Sequence, residues 1–262
     1  ISIIGVGTSP SEGLKKGVIV DLDKTVEAIM HAMEEAERMV GTSIPSAFLG
    51  IIGSQVSLIN NRGVVAVSGA DKEITEEDVE RVLQAARVIA LPPDREIIDV
   101  IPREFILDGY DGIRDPVSMV GVRLEVDAMI ITGMITSLRN LYRCVERAGV
   151  EIDGIVLNSL ANAEVLLSRD EKELGTILID IGGGTTELAV FQDGHLQNIA
   201  VLPVGGDHIT NDIAKLLHTP LQTAEKLKLD HGVALPSLVK NDETIELQQI
   251  SGKAPREVAA KE

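Results

Sequence analysis

Three consecutive glycines joining two apolar runs constrain this chain more than any other stretch: LIDIGGGTTELAVFQDG, residues 178–194. The run TILIDI is apolar on both faces except for Asp180, which predicts a central strand buried between layers. A carboxylate near the end of such a strand needs a partner, and a cationic one is expected. Consecutive glycines let a backbone approach a ligand and aim several amides at one point, and Thr185 and Thr186 add hydroxyl donors. Taken alone, the turn fits a hairpin that only changes direction as well as it fits a phosphate cradle. Asp180 favours the cradle. GGGTTE lacks the GxGxxG spacing and runs into a strand, with QDGH as a second hairpin turn, so the dinucleotide fingerprint is excluded. No Gly-Lys-Ser/Thr follows, which excludes the Walker pattern.

Two stretches further on fit an anion site. LPVGGDHITNDIAKLL ends a strand at Gly205 and Gly206 and begins a helix whose first amides can face the same anion. TAEKLKLDHG sets Glu225 and Lys228 three apart on one helix face. There a carboxylate and an ammonium can grip ribose hydroxyls, or form nothing more than a surface ion pair.

Before that region the chain is β-rich. ISIIGVG predicts a buried strand, and GVIVDLDKTVEAIMHAMEEAERMVG predicts a strand leading into an amphipathic helix capped by Asp23 and closed by Gly41. Its methionine stripe suits core packing. SAFLGIIG predicts a strand, and QVSLINNRGVVAVSG two short strands around an Asn-rich turn. In ITEEDVERVLQAARVIALPP, Thr75 and Asp78 form a capping pair, and Val79, Val82, Leu83 and Ala86 face one way. EIIDVIPREFILDG and GVRLEVDAMIIT follow as strands, separated by a loop from Asp108 to Pro116. Residues 51–131 therefore read as a separate inserted subdomain, and α/β alternation resumes after it. A helix carrying Leu138, Leu141, Val145 and Ala148 stops at Gly149, IDGIVLNS is a strand, and LANAEVLL a short helix.

Five aromatics (Phe48, Phe105, Phe191, Tyr110, Tyr142) leave the core to Ile, Val, Leu, Ala and Met, which suits strands covered by helices. With 262 residues, 44% of them hydrophobic, there is material for more than one domain. A net charge of −17, from 24 basic and 41 acidic residues, argues against general affinity for nucleic acid or an anionic membrane surface. The single Cys144 cannot form an internal disulfide and suits a small hydrophobic filler, so a reducing cytoplasmic setting is expected. No run of about eighteen apolar residues predicts a membrane helix. The start at Ile1, without a charged leader, predicts no signal peptide and a piece of something longer.

The order DIGGGTTELAV, VGGDHIT, AEKLKLDHG, preceded by VLNSLANAEVLL, resembles the actin, heat-shock chaperone and sugar-kinase superfamily. IIGVG, KKGVIVDLDKTVEAI, VIPREFILDG, DPVSMVGVRLEV and VERAGVEIDGIVLNSLANAE resemble the FtsA family of bacterial cell-division proteins along essentially the whole chain. The resemblance implies an α/β actin-like ATPase fold with ribonuclease-H-like halves and an FtsA-type inserted α+β subdomain, incomplete at both termini. The parts would be domain 1A over residues 1–50, subdomain 1C over 51–131, the rest of domain 1 over 132–173, core 2A over 174–218 and the start of 2B over 219–262.

It further implies ATP with Mg²⁺. Asp180 would orient a magnesium-bound water; Gly182, Gly183, Gly184, Thr185 and Thr186 would hold phosphates. Gly205 and Gly206 would approach phosphates or adenosine, and Glu225 and Lys228 would contact the ribose and adenine side. The family's first phosphate loop would precede Ile1 and its last adenosine loop would follow Glu262, so weak or undetectable ATP binding is expected of these residues alone. Chaperone relatives carry a glutamate in the hydrolytic water network where this chain has Ser159, which implies at most weak hydrolysis.

Implied partners are the tail of the tubulin-like FtsZ, held in the subdomain from about Thr219 with Arg256 beside Lys253 as a candidate contact. Further copies of the chain in a head-to-tail polymer and other division proteins at the insert are implied as well. The implied location is the inner face of the membrane at the division site, through a carboxy-terminal amphipathic helix outside these residues. Two other readings belong to the same superfamily: a sugar kinase or active ATPase, which would need a well-placed catalytic carboxylate, and an actin-like platform of type IV pilus assembly.

Overall fold

A computed structural model describes residues 2–51, 55–239, 244–247 and 256–259. The chain divides into two compact units, Ile1–Asp180 with Glu187–Val201, and Ile181–Thr186 with Leu202–Glu262.

The first unit opens with residues 2–11, which form no strand, against the expectation for ISIIGVG. A small antiparallel pair follows, β1 (Leu14–Lys15) and β2 (Val18–Ile19), and then helix α1 (Leu22–Val40). The opening segment lies against α1 as bare backbone. A Cβ on Gly7 would stand 1.7 Å from the Ala32 carbonyl oxygen, and the Thr8 amide and hydroxyl both donate to Glu35. The cap of α1 is Asp21 rather than Asp23. Asp21 has the extended backbone a cap needs and accepts from the Lys24 amide, whereas Asp23 lies inside the first turn and pairs with Arg147 at 2.7 Å. Gly41 closes the helix in the left-handed conformation, φ 79°.

Strand β3 (Ser46–Ile51) precedes β4 (Val56–Ala66), one continuous strand of 11 residues where two strands and a turn were expected. The reason is tertiary. Helix α2 (Glu76–Ala86) lies across NNRG: the Asn61 side-chain Nδ2 donates to the Ala86 carbonyl at 2.9 Å, and a Cβ on Gly63 would come within 2.2 Å of the Val82 carbonyl oxygen. These residues accommodate a helix rather than a reversal. Strands β5 (Arg95–Leu107), β6 (Tyr110–Ile113) and β7 (Arg123–Met134) complete an antiparallel sheet in the order β4-β7-β5-β6. The expected loop from Asp108 to Pro116 thus contains β6. Asp108 and Gly109, both at positive φ, make a two-residue hairpin that pairs Leu107 with Tyr110.

Helix α3 (Ile135–Arg147) leads to β8 (Glu151–Leu157), parallel to β3, and on to α4 (Asn158–Leu166) and α5 (Arg169–Leu174). Strands β9 (Thr176–Ile181), β10 (Thr186–Gln192) and β11 (His195–Leu202) form a sheet in the order β11-β10-β9. Among the described residues strand β9 is therefore at an edge and one-sided, not buried on both faces. Leu178 packs into a core while Ile177 and Ile179 are more than half exposed, as a period of two requires once one face is open.

Strand β7 serves two cores. Leu124, Val126, Ala128 and Ile130 pack under α2 with Val82, Ala86 and Phe105, while Met129 and Ile131 pack on the other side with Ile51, Leu157, Ala163 and Phe191. Cys144 is a fully buried filler on α3.

The second unit contains α6 (Gly206–Leu216) packed on α7 (Leu221–His231), and an antiparallel pair, β12 (Thr244–Leu247) and β13 (Arg256–Ala259). Among the described residues no helix is long and apolar enough to cross a membrane.

Candidate functional site

In the second unit the glycine turn and the start of α6 are tied together. The Gly206 and Asp207 amides donate to the carbonyls of Gly182 and Gly183, each at 2.9 Å, and the Thr186 hydroxyl donates to the Val204 carbonyl at 2.8 Å. The Gly182 amide closes the turn on the Thr185 carbonyl at 2.9 Å. Within the described residues the amides of Gly183, Gly184 and Thr185 spend no hydrogen bond, which leaves three successive donors at the tip.

Gly205 is required by close approach rather than by its dihedrals, since its backbone is extended. A Cβ there would stand 2.3 Å from the Gly182 oxygen and 2.5 Å from the Gly183 oxygen. The Gly205 amide itself donates to His208 Nδ1 at 3.2 Å. The carboxylate of Asp207 lies against Gly183.

Glu225 and Lys228 form an ion pair at 2.7 Å on α7. They are not a free surface pair, because the Lys228 ammonium also donates to the Thr210 hydroxyl at 2.9 Å and to the Gly206 carbonyl at 3.3 Å. Thr210, on α6 and buried, also hydrogen-bonds Glu225. Lys228 and Thr210 together hold the Glu225 carboxyl below its ordinary range. Sequence reasoning passes over Thr210, for a threonine inside a helix carries no positional signal.

The first unit holds a second set of polar groups. Half-buried Asp180 has an amide partner, Asn162 Nδ2 at 3.3 Å, in place of the expected cation. Asn162 and Ser159 lie three apart on α4, hence on one face. Ser159 is buried, and so is Glu187, the residue that ends GGGTTE; among the described residues neither the Ser159 hydroxyl nor either Glu187 oxygen has a hydrogen-bond partner. Burial pushes the Glu187 carboxyl up, the facing Ser159 hydroxyl opposes this, and the charge of Asp180 adds to it. Sequence reasoning missed Glu187, although a signal was present: it alternates with Ala189 and Phe191, both buried, so period two points it inward.

A buried carboxylate without a partner costs stability, so Glu187→Gln is expected to raise the unfolding free energy at pH 7 by about 1 kcal/mol, or about 3 °C. The folded carboxyl titrates above the unfolded one. The wild type is therefore not penalised below the ordinary carboxylate range, and its deficit grows as pH rises through the raised value. Calorimetry at pH 4 and 7 checks this; equal gains at both would contradict it.

In the second unit, α7 and β12 also border a cavity of about 540 Å³ lined by residues including Lys226, Leu227, His231 and Ile245. Arg256 lies on β13 opposite Leu247, but its side chain and the whole of Lys253 lie outside the described residues.

Comparison with known proteins gives this architecture a family. The model of the SHS2 domain inserted in FtsA matches residues 53–132, and the model of cell division protein FtsA matches residues 177–262. The chain is 42% identical over 259 residues to cell division protein FtsA of Pseudomonas aeruginosa, covering 99% of this chain and 62% of that protein. It is 52% identical over 250 residues to cell division protein FtsA of Bacillus subtilis, covering 95% of this chain and 57% of that protein. The chain thus spans about three-fifths of the length of these curated relatives. Among solved structures, the PilM-PilN type IV pilus biogenesis complex matches with a TM-score of 0.61 at 19% identity, over 86% of this chain and 61% of that one, a likeness of fold alone. The fold is the actin-like ATPase fold with an SHS2 insert, as the sequence resemblance implied.

Proposed function

The chain belongs to the FtsA family, and from that premise we propose that it is the nucleotide-binding core of an actin-like cell-division scaffold that polymerises and links FtsZ filaments to the cytoplasmic membrane. One observation supports the nucleotide part of this reading: three successive amides at Gly183, Gly184 and Thr185 without a partner among the described residues, in a turn locked to the start of α6 by two backbone hydrogen bonds. These donors suit phosphate oxygens. Thr185 adds a hydroxyl, Thr186 holds the turn in place through its bond to the Val204 carbonyl, and Gly182, Gly205 and Gly206 keep the backbone bare where a ligand must come close. Asp180 would hold water on Mg²⁺ through its carboxylate, and the ion would neutralise phosphate charge when bound. Glu225 and Lys228 are assigned to the ribose and adenine side.

ATP here sets conformation and polymerisation. Buried Ser159, in the position where chaperone relatives carry a water-network glutamate, supports that role over rapid turnover. For FtsZ, the cavity beside α7 sets Lys226, His231 and Asp230 around apolar Leu227 and Ile245, a surface with room for a peptide that carries both charged and apolar side chains, and Arg256 stands on the neighbouring strand.

Calorimetric titration of the full-length protein should detect Mg·ATP, and Asp180→Ala should weaken it about tenfold or more. Unchanged affinity would remove Asp180 from the site. Retention of the full-length protein on an immobilised FtsZ tail peptide separates this reading from the pilus-platform one, which predicts none.

A further inference from the structure

Resting on the nucleotide reading, we propose that Thr210 is the positioning residue that fixes Glu225 and Lys228 for recognition of a ribose diol. An (i, i+3) ion pair on a helix surface is weak and conformationally loose, because two long side chains must be ordered for a small Coulomb gain. Here a third group, from a different helix, removes that freedom. Thr210 is 7% exposed as a residue, and its hydroxyl accepts from the Lys228 ammonium at 2.9 Å and also bonds Glu225 Oε2. The same oxygen lies 3.1 Å from the Gly206 carbonyl, to which Lys228 also donates.

One buried hydroxyl therefore ties the charged pair of α7 to the first carbonyl of α6, directly beyond the bare backbone of Gly205. Glu225 Oε2 is consumed by Lys228 and Thr210, while Oε1 makes no hydrogen bond among the described residues. A carboxylate held this way presents one oxygen in a fixed direction, which is what accepting from a sugar hydroxyl requires. Thr210 itself need not touch the ligand. Its contribution is to selectivity between ribose and 2′-deoxyribose, not to the phosphate contacts.

The test measures dissociation constants of the full-length protein for Mg·ATP and Mg·2′-deoxy-ATP. Wild type is expected to prefer the ribonucleotide by about tenfold, the loss expected when a hydrogen-bonding site meets a ligand without its hydroxyl. Thr210→Val keeps the volume and removes the hydroxyl. It should weaken ATP until the two ligands bind alike, with 2′-deoxy-ATP unchanged, and Thr210→Ser should restore the preference. If Thr210→Val does not fold, Thr210→Cys, of similar size but with only weak hydrogen bonding, serves in its place. A Val or Cys variant that folds and keeps the wild-type ratio overturns the assignment, as does equal weakening of both ligands, which a purely structural role would give. Wild type that binds neither nucleotide overturns the nucleotide reading, and the role of Thr210 with it.

Discussion

Gly205→Ala is expected to abolish measurable Mg·ATP binding by the full-length protein, a loss of about a hundredfold or more, while the far-UV circular dichroism stays that of the wild type. The added Cβ would stand 2.3 and 2.5 Å from the carbonyl oxygens of Gly182 and Gly183. Both are backbone atoms, and both already accept from the amides of Gly206 and Asp207. No side chain can swing aside to relieve the contact. The turn must retreat from the helix by about an ångström, which breaks those two bonds and redirects the three free amides. Gly182→Ala should disturb the turn itself far less, since its Cβ would meet nothing nearer than the Thr185 oxygen at 3.3 Å, so a loss of affinity there reports close approach of the ligand and not displacement of the turn. Titration of both variants checks the argument, and wild-type affinity in Gly205→Ala would separate this turn from the ligand.

Asp78→Ala should be the most costly of the single changes considered for the insert, at about 3 kcal/mol by urea denaturation at pH 7. Asp78 is fully buried and accepts from the Thr75 amide and hydroxyl, each at 3.0 Å, from the Ser68 hydroxyl at 2.8 Å and amide at 3.2 Å, and from Arg81. Its removal undoes the capping box of α2 and strands two backbone amides. Burial alone would push its carboxyl up. The bonds from the Thr75 amide, Arg81, Ser68 and the Thr75 hydroxyl outweigh burial and hold it well below the usual range. A depressed folded value stabilises above the unfolded one and is lost as pH falls. The gap between wild type and Asp78→Ala should therefore be full at pH 7 and narrow progressively below about pH 4. A gap independent of pH would contradict the charge assigned to Asp78.

Features written in contiguous residues were legible in the sequence. The capping pair Thr75 and Asp78 is a four-residue pattern, and the glycine turn and the Gly205-Gly206 step are punctuation that only a few backbone geometries need. Features written across distance were not. NNRG resembles a turn because nothing local announces that α2 will cross it, and Asp180 finds Asn162 on a helix eighteen residues upstream. Asp21 and Asp23 are equally good capping residues by type, and only the backbone angles choose between them. Thr210 was invisible for the same reason: its value lies in two residues of another helix. Glu187 is different, for the alternation that buries it was in plain view beside a motif that drew attention to the glycines instead.

Strand β7 packs with α2 through one set of side chains and with Ile51, Leu157 and Phe191 through the other, so the insert shares its central strand with its host. A cassette joined by two linkers could be exchanged between relatives without disturbing what carries it. This one is grafted through its middle. Met129 and Ile131 are as much the host's residues as the insert's, and any sequence change along β7 must satisfy two packing problems at once. Changes on the outer face of α2 meet no such double demand, whereas changes along β7 must suit insert and host together, which makes the insert an integral part of the unit and not a detachable module.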